Sequence, residues 1–226
     1  MKEAAYIDLE SLIFEENNDL AQQIRTDLRS RGKVMINVMA SPGAGKTTLI
    51  QSVLKRLAGH LRVAVVEGDV ESRMDADKIT ALGVPAVQLR TGGGCHLDAS
   101  MIQAGLDTLV DYDPELIIIE NIGNLVCPAE FDTGAHYNVT ILSVPEGDDK
   151  PVKYPLMYSV CDAMIISKCD VLPMFDFDMV LAEQRAAKLN PNIRFFHVSA
   201  KTGDGMDELI AQILSITERV KNEVEK

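Results

Sequence analysis

Basic and aromatic residues are scarce in this sequence of 226 residues. It has 22 Lys and Arg against 34 Asp and Glu, a formal net charge of −12, and only 5% of its residues are aromatic, with no Trp. A duplex-binding surface needs basic side chains for the phosphates, and a single-strand binder needs aromatic side chains on which bases stack. The composition therefore argues against a nucleic-acid partner and favours cationic partners, including metal ions.

Long apolar runs are also absent. Runs such as Val34–Ile36, Val63–Val66 and Leu116–Ile119 are far shorter than the roughly 18 residues of a membrane span, and the first ten residues contain no apolar signal core. We therefore expect a cytoplasmic protein with no membrane partner. In that reducing compartment, cysteines are more often ligands or buried apolar residues than disulfides. The sequence has four of them, Cys95, Cys127, Cys161 and Cys169.

The spacing of apolar residues predicts an α/β fold. Residues 9–30 carry apolar side chains mostly at steps of three and four, which predicts an amphipathic helix before the first strand. Strands are predicted at 34–40, 62–67, 84–90, 115–120, 138–144, 163–167 and 193–198. Helices are predicted at 47–58, 73–82, 97–110, 176–189 and 206–224. This alternation predicts a doubly wound, mainly parallel sheet, whose ligands lie at the carboxyl ends of its strands.

The segment 40–47 matches the spacing of a phosphate-binding loop. It reads Ala-Ser-Pro-Gly-Ala-Gly-Lys-Thr between a predicted strand and a predicted helix, with Ala where the first Gly is usual. Its glycines permit backbone angles at which successive N–H groups hold anionic oxygens, and the helix N-terminus adds its positive end. Lys46 can reach the β- and γ-phosphates, and the Thr47 hydroxyl can bind Mg²⁺. The alternative is a chance glycine-rich turn. The predicted nucleotide-binding residues here are Gly43, Ala44, Gly45, Lys46, Thr47 and Thr48.

Two later strand ends resemble the guanine-reading pair of regulatory GTPases. They read Ser-Lys-Cys-Asp at 167–170 and Ser-Ala-Lys at 199–201, with Ser167 where those GTPases have Asn. A carboxylate such as Asp170 accepts hydrogen bonds from the two adjacent N–H groups of guanine and is repelled by adenine, a mismatch that discriminates strongly. The alternative is two polar loops without a ligand. The predicted base-binding residues are Lys168, Asp170, Ser199, Ala200 and Lys201.

Carboxylates end two of the predicted strands. Asp69 is the preferred Mg²⁺ ligand, with Thr47 and Glu120 as further ligands, because strand-end carboxylates beside a phosphate loop bind Mg²⁺ and water. Asp75 is a candidate for orienting the attacking water. With Lys46, these three acids are the predicted catalytic residues, although any of them can instead be a helix cap.

Sulfur and imidazole groups form a second candidate site. Cys95 and His96 follow three glycines in a predicted loop, and Cys127 lies in the loop after the strand that ends at Glu120. Thiolate and imidazole suit Zn²⁺ or Ni²⁺ far better than Mg²⁺. Three ligands are one short of a closed tetrahedral site, so either water or a second copy of the chain completes it. A buried, inert Cys127 is the alternative.

Taken together, these segments resemble the nickel-incorporation GTPases of hydrogenase maturation. The match covers roughly residues 34–205. It rests on the phosphate loop and on 67–70 (Glu-Gly-Asp-Val), 94–97 (Gly-Cys-His-Leu), 120–132 and 146–155. The related urease GTPase has instead a Cys-Pro-His arrangement, which is absent here.

The resemblance implies partners and a metal position. It implies a GTP-dependent homodimer with a Ni²⁺ or Zn²⁺ site at its interface, formed by Cys95, His96 and Cys127. It also implies two protein partners, a small zinc-containing nickel chaperone and the precursor of the hydrogenase large subunit. Lys153, in a predicted loop, would lie near the nucleotide of the second copy, with plain solvated charge as the alternative. Residues 1–33 contain neither Cys nor His, so nickel storage in that segment is not supported.

We therefore expect an N-terminal helical arm at 1–33 and a phosphate-loop GTPase domain at 34–226. The expected function is that of a GTP-hydrolysing metallochaperone that couples GTP binding and hydrolysis to nickel insertion into the hydrogenase large subunit. Three alternatives remain open at this point. They are a phosphate-loop kinase for a small metabolite, a urease-type nickel GTPase, and a non-catalytic metal-binding interaction protein.

Overall fold

The central sheet is parallel throughout. The computed structural model describes residues 9–69 and 74–224, and within them seven strands lie in the order β3-β2-β4-β1-β5-β6-β7. The strands are β1 Val34–Ala40, β2 Val63–Asp69, β3 Ala86–Arg90, β4 Leu116–Gly123, β5 Tyr137–Ser143, β6 Ala163–Ser167 and β7 Arg194–His197. Each neighbouring pair is parallel. The predicted doubly wound α/β fold is confirmed.

Helices cover both faces of this sheet. They are α1 Leu9–Ser30, α2 Lys46–Leu57, α3 Met74–Thr80, α4 Ala99–Leu109, α5 Cys127–Glu130, α6 Lys150–Lys153, α7 Pro155–Val160, α8 Met179–Leu189 and α9 Met206–Val224. Alternate side chains of a strand point to opposite faces. Val34 and Ile36 therefore pack with α2 and α9, while Met35 packs with α1 and α4 on the other face.

The helix α1 is packed against the rest of the chain. Its Ala21, Ile24 and Leu28 are buried in the same apolar cluster as α4, because they recur at steps of three and four on one helix face. The predicted boundary at residue 33 stays a prediction. Within the described ranges, no helix combines the length and the apolar character that a membrane crossing needs.

Several predicted boundaries are wrong. The strand β4 continues to Gly123 instead of ending at residue 120, and α8 begins at Met179, where the side chain of Asp178 caps it by accepting a hydrogen bond from the Leu181 N–H (2.9 Å). The short helices α5, α6 and α7 were not predicted, because elements of four to six residues show no helical period. Lys153 consequently lies on a helical turn, not in an irregular loop.

Candidate functional site

The phosphate loop connects β1 to α2. Gly43 and Gly45 have φ angles of 79° and 96°, in the region that favours glycine, and α2 begins at the next residue, Lys46. The loop therefore directs backbone N–H groups and a helix N-terminus toward one cleft.

The cleft beside this loop contains about 430 Å³ and is acidic on one side. Besides phosphate-loop residues, its lining includes Glu67 and Asp69 at the end of β2 and Glu120 near the end of β4. Glu67 and Glu120 lie in register on neighbouring strands and are 2% and 5% exposed. The Thr47 hydroxyl donates a hydrogen bond to Glu120 Oε1 (2.7 Å). Carboxylate and hydroxyl oxygens are ligands for a hard cation, so this group fits Mg²⁺.

The predicted acids are not all placed in the same way. Asp69 and Glu120 line the cleft as expected. The backbone of Asp75 lies in α3, but its side chain lies outside the described residues, as do residues 70–73. Two charged residues of the cleft lining were missed by sequence reasoning, Glu67 and Lys78. The alternation of Glu67 with Asp69 along β2 was the available signal for Glu67, since both side chains point to one face. Lys78 offered only its helical position after Asp75.

The two predicted base-reading loops lie together beside the phosphate loop. Asp170 Oδ1 accepts a hydrogen bond from the Ser199 hydroxyl (2.8 Å), which joins the loops after β6 and β7. Lys168, with a left-handed φ of 59°, donates from Nζ to the Gly43 carbonyl (2.8 Å). The Ser167 hydroxyl donates to the Ala44 carbonyl (3.1 Å). Ser167 therefore braces the phosphate loop although it is not the usual Asn. Ala200 and Lys201 follow Ser199 in the same turn.

Cys95, His96 and Cys127 also converge. One potential ligand atom from each lies within 4.8 Å of the others, and Cys95 Sγ is 3.7 Å from His96 Nδ1. A hydrogen bond with the Cys127 side chain raises the pKa of the Cys95 thiol, and partial burial lowers the pKa of His96. A soft divalent ion bound here would displace the proton from Cys95, and the lowered pKa of His96 favours the neutral imidazole that a metal binds. The donor set fits Ni²⁺ or Zn²⁺.

Direct contacts connect the cleft to this cysteine–histidine cluster. Asn121, which follows Glu120, accepts a hydrogen bond on Oδ1 from the Leu97 N–H (3.2 Å). Asn124 donates from Nδ2 to the Cys95 carbonyl (3.2 Å). At the end of β2, a Cβ on Gly68 would lie 2.7 Å from Leu97 Cδ1, so this strand also packs tightly against the residue after His96. Both strands that carry cleft carboxylates therefore contact the loop of Cys95 and His96.

Lys153 is not among the residues that line the cleft. Its Nζ lies 2.5 Å from Asp149 Oδ2 on the same helical turn. The predicted contact of Lys153 with the nucleotide of a second copy stays a prediction.

Comparison with known proteins places these features in a family. Residues 34–197 match the model of the CobW/HypB/UreG nucleotide-binding domain. The chain is 43% identical over 213 residues to the hydrogenase maturation factor HypB of Azotobacter chroococcum, covering 94% of this chain and 70% of that protein. It is 42% identical to the HypB of Escherichia coli strain K12, covering 92% and 72%.

Solved structures agree. The crystal structure of HypB from Helicobacter pylori in complex with nickel superposes with a TM-score of 0.86 at 38% identity, covering 90% of this chain and 96% of that chain. HypB from Archaeoglobus fulgidus gives a TM-score of 0.83 at 36% identity, covering 90% and 99%. The chain therefore belongs to the CobW/HypB/UreG family of nucleotide-binding proteins and, within it, to the HypB hydrogenase maturation factors.

Proposed function

We propose that the chain is a GTPase whose nucleotide state controls a nickel site, so that hydrolysis drives nickel delivery to the hydrogenase large subunit. One observation carries the proposal. The strand β4 places Glu120 in the phosphate cleft, and the chain then runs seven residues to Cys127, with Asn121 and Asn124 bonded to the loop of Cys95 and His96 between them. A change at the phosphates is therefore transmitted to the cysteine–histidine cluster through a short, hydrogen-bonded segment.

The cleft supports hydrolysis by positioning and electrostatics. Lys46 and the N–H groups of the loop hold the β- and γ-phosphates, and Thr47, Asp69 and Glu120 hold Mg²⁺, which neutralises phosphate charge when it is bound. Asp75 orients a water molecule whose oxygen attacks the γ-phosphorus in line. As that bond forms, the bond from the γ-phosphorus to the bridging oxygen of GDP breaks, and phosphate leaves with the oxygen and the protons of the water.

The base-reading loops make guanine the preferred base. Asp170, positioned by Ser199, accepts from the two adjacent guanine N–H groups, while the stem of Lys168 lies along the base plane. The HypB assignment favours this reading over a small-metabolite kinase.

The cysteine–histidine cluster is the cargo site. The HypB of Helicobacter pylori was crystallised with nickel, and the donor set of this chain suits Ni²⁺ or Zn²⁺. Because Cys95 is exposed and the cluster offers three ligands, a second copy of the chain completes the site in a GTP-dependent homodimer, with Lys153 turned toward the nucleotide of that copy. A small zinc-containing chaperone supplies nickel, and the large-subunit precursor receives it in the cytoplasm.

Nickel affinity in defined nucleotide states tests the coupling. Ni²⁺ is titrated by competition with a chromophoric chelator into the nucleotide-free, GDP and GTP-analogue forms. We expect the GDP and GTP-analogue forms to differ by about tenfold, within the usual range of coupling between two sites. Cys95→Ala should weaken Ni²⁺ binding in every form, whereas Cys161→Ala, a buried cysteine in another cluster, should not.

Two results would contradict the proposal. Equal Ni²⁺ affinity in all three forms would exclude coupling, because a ligand without differential affinity shifts no equilibrium. Absence of GTP turnover, even with the dimer and the nickel chaperone present, would leave nucleotide as a structural ligand only.

A further inference from the structure

The imidazole of His96 lies flat on a phenyl ring. The ring centroids of His96 and Phe131 are 3.8 Å apart and their planes are inclined by 14°. Phe131 also contacts Phe14 of α1, with centroids 4.9 Å apart and planes inclined by 34°. Three rings thus connect the N-terminal helix to a candidate metal ligand, and we refer to Phe14, Phe131 and His96 as the aromatic row.

The segment that carries Phe131 is fixed under α1 by polar contacts. Asn17 Nδ2 donates to the Asp132 carbonyl (2.9 Å), and Arg25 forms an ion pair with the Asp132 carboxylate (2.7 Å). A Cβ on Gly134 would lie 2.8 Å from the Ala21 carbonyl oxygen, so the segment passes directly beneath the helix backbone.

The helix α1 also contacts the segment that follows Cys95 and His96. Asn17 Oδ1 accepts a hydrogen bond from the Ala99 N–H (2.9 Å), three residues after His96. One side chain of α1 therefore bridges the chain after Cys127 and the chain after His96. This bridge and the aromatic row hold the two ligand-bearing segments in a fixed relation.

We propose that Phe131, held by Phe14 and Asn17, is a positioning residue that fixes the imidazole plane of His96 and so sets the Ni²⁺ affinity of the cysteine–histidine cluster. A metal bond to imidazole requires the donor nitrogen to point at the ion. An imidazole that is free to rotate loses conformational entropy when the ion fixes its orientation. Stacking removes part of this cost, since aromatic pairs have preferred geometries, and groups that orient metal ligands commonly change metal affinity by 10- to 100-fold. The inference rests on the proposed cargo site.

Substitutions that remove one ring at a time test the role of the row. Phe131→Leu should weaken Ni²⁺ binding by about tenfold, at the low end of the effect of orienting groups, and Phe14→Leu by about threefold, because it acts through Phe131. Phe131→Tyr retains the ring and should bind within about twofold of the unsubstituted chain. Phe195→Leu, the same change on β7, is the matched control and should not alter Ni²⁺ affinity.

A cycle with His96 separates positioning from general loss of stability. In the His96→Ala background, Phe131→Leu should cause no further loss of Ni²⁺ affinity. The thiolate-to-nickel absorption bands of Phe131→Leu should also shift toward those of His96→Ala. An equal loss in both backgrounds would show a merely structural effect and overturn the inference.

The two proposals fail in different ways. If Cys95→Ala and the unsubstituted chain bind Ni²⁺ equally, the cargo site itself is wrong. If Cys95→Ala abolishes binding while Phe131→Leu binds as tightly as the unsubstituted chain, only the positioning role is wrong. Thermal unfolding and GTP affinity, recorded for every variant, verify that each one is folded.

Discussion

At Gly123, the strand β4 passes close to the backbone of the phosphate loop. A Cβ there would lie 3.2 Å from both the backbone nitrogen and the Cα of Pro42. The register between β1 and β4 shifts just before this point, pairing Val38 with Glu120 and Ala40 with Gly123, so that β4 contributes one extra residue. The neighbour is backbone and cannot rotate away, so any side chain at Gly123 must displace the loop.

Substitution of this glycine should weaken GTP binding. Gly123→Ala shifts the loop by a few tenths of an ångström, and overpacking of this kind costs about 1–3 kcal/mol. We expect about a tenfold higher Kd for GTP, which corresponds to roughly 1.4 kcal/mol. Isothermal titration calorimetry of both proteins would measure this difference in the Kd for GTP.

Gly105→Ala is the matched control for this substitution. Its Cβ would make ordinary contacts, 3.4 Å from Val66 Cγ1, within helix α4. This change should leave GTP affinity unaltered and stabilise the helix by about 0.5–1 kcal/mol. Unchanged GTP affinity in Gly123→Ala would show that the loop tolerates displacement at Pro42.

Most residues of the site were predictable because they belong to contiguous motifs. Contacts between residues that are distant in the sequence were not predictable. The phosphate loop and the base-reading loops are continuous segments, so the residue types and their spacing indicate what each segment binds. The brace from Ser167 to Ala44 joins residues 123 positions apart, and Glu67 meets Glu120 only because β2 and β4 are neighbours. No local pattern encodes such pairs, since the sheet order brings them together.

At the scale of elements, β4 and the segment after it connect the phosphate cleft to the cysteine–histidine cluster. Apolar residues made the existence of β4 predictable but not its end, because Asn121 and Gly123 have weak strand preference. Tertiary hydrogen bonds extend the strand, with Asn121 Nδ2 donating to Asn37 Oδ1 (3.1 Å). The helix α5, which starts at Cys127, is too short to produce a periodic pattern.

The hydrogen bond from Asn124 to the Cys95 carbonyl offers a direct test of this link. Asn124→Asp keeps the acceptor for the Val126 N–H (2.9 Å) and removes the donor to Cys95. We expect the ratio of Ni²⁺ affinities between the GTP-analogue and GDP forms to fall by about fivefold, the effect of one hydrogen bond of roughly 1 kcal/mol. GTP affinity measured in the absence of nickel should not change, because the coupling between the two sites is reciprocal and appears only when both ligands are present.

Asn190→Asp provides a closely matched control. Asn190 Nδ2 donates to the Cys161 carbonyl (2.9 Å) and Oδ1 accepts from the Asn192 N–H (3.0 Å), which repeats the arrangement of Asn124 away from the site. Asn190→Asp should leave the ratio of Ni²⁺ affinities between the GTP-analogue and GDP forms unchanged. A preserved ratio in Asn124→Asp as well would exclude this bond from the coupling.

At the scale of the whole molecule, net charge opposes the proposed dimer. Each copy carries a formal charge of −12, so two copies repel each other at long range. The attractions that favour the dimer are local, namely shared metal ligands and Lys153 near the nucleotide of the second copy. Contacts within an interface from which water is excluded are screened by salt much less than the long-range repulsion between the two whole molecules.

Salt should therefore strengthen the GTP-analogue dimer. Raising KCl from about 0.05 M to about 0.5 M shortens the screening length severalfold, and we expect the dimer Kd to decrease by about three- to tenfold in sedimentation velocity experiments with Mg²⁺ present. The GDP form, measured at both salt concentrations, shows whether salt alone drives association. A dimer that weakens as salt rises would mean that ion pairs across the interface outweigh the net repulsion, and Lys153→Gln should then remove most of that salt dependence.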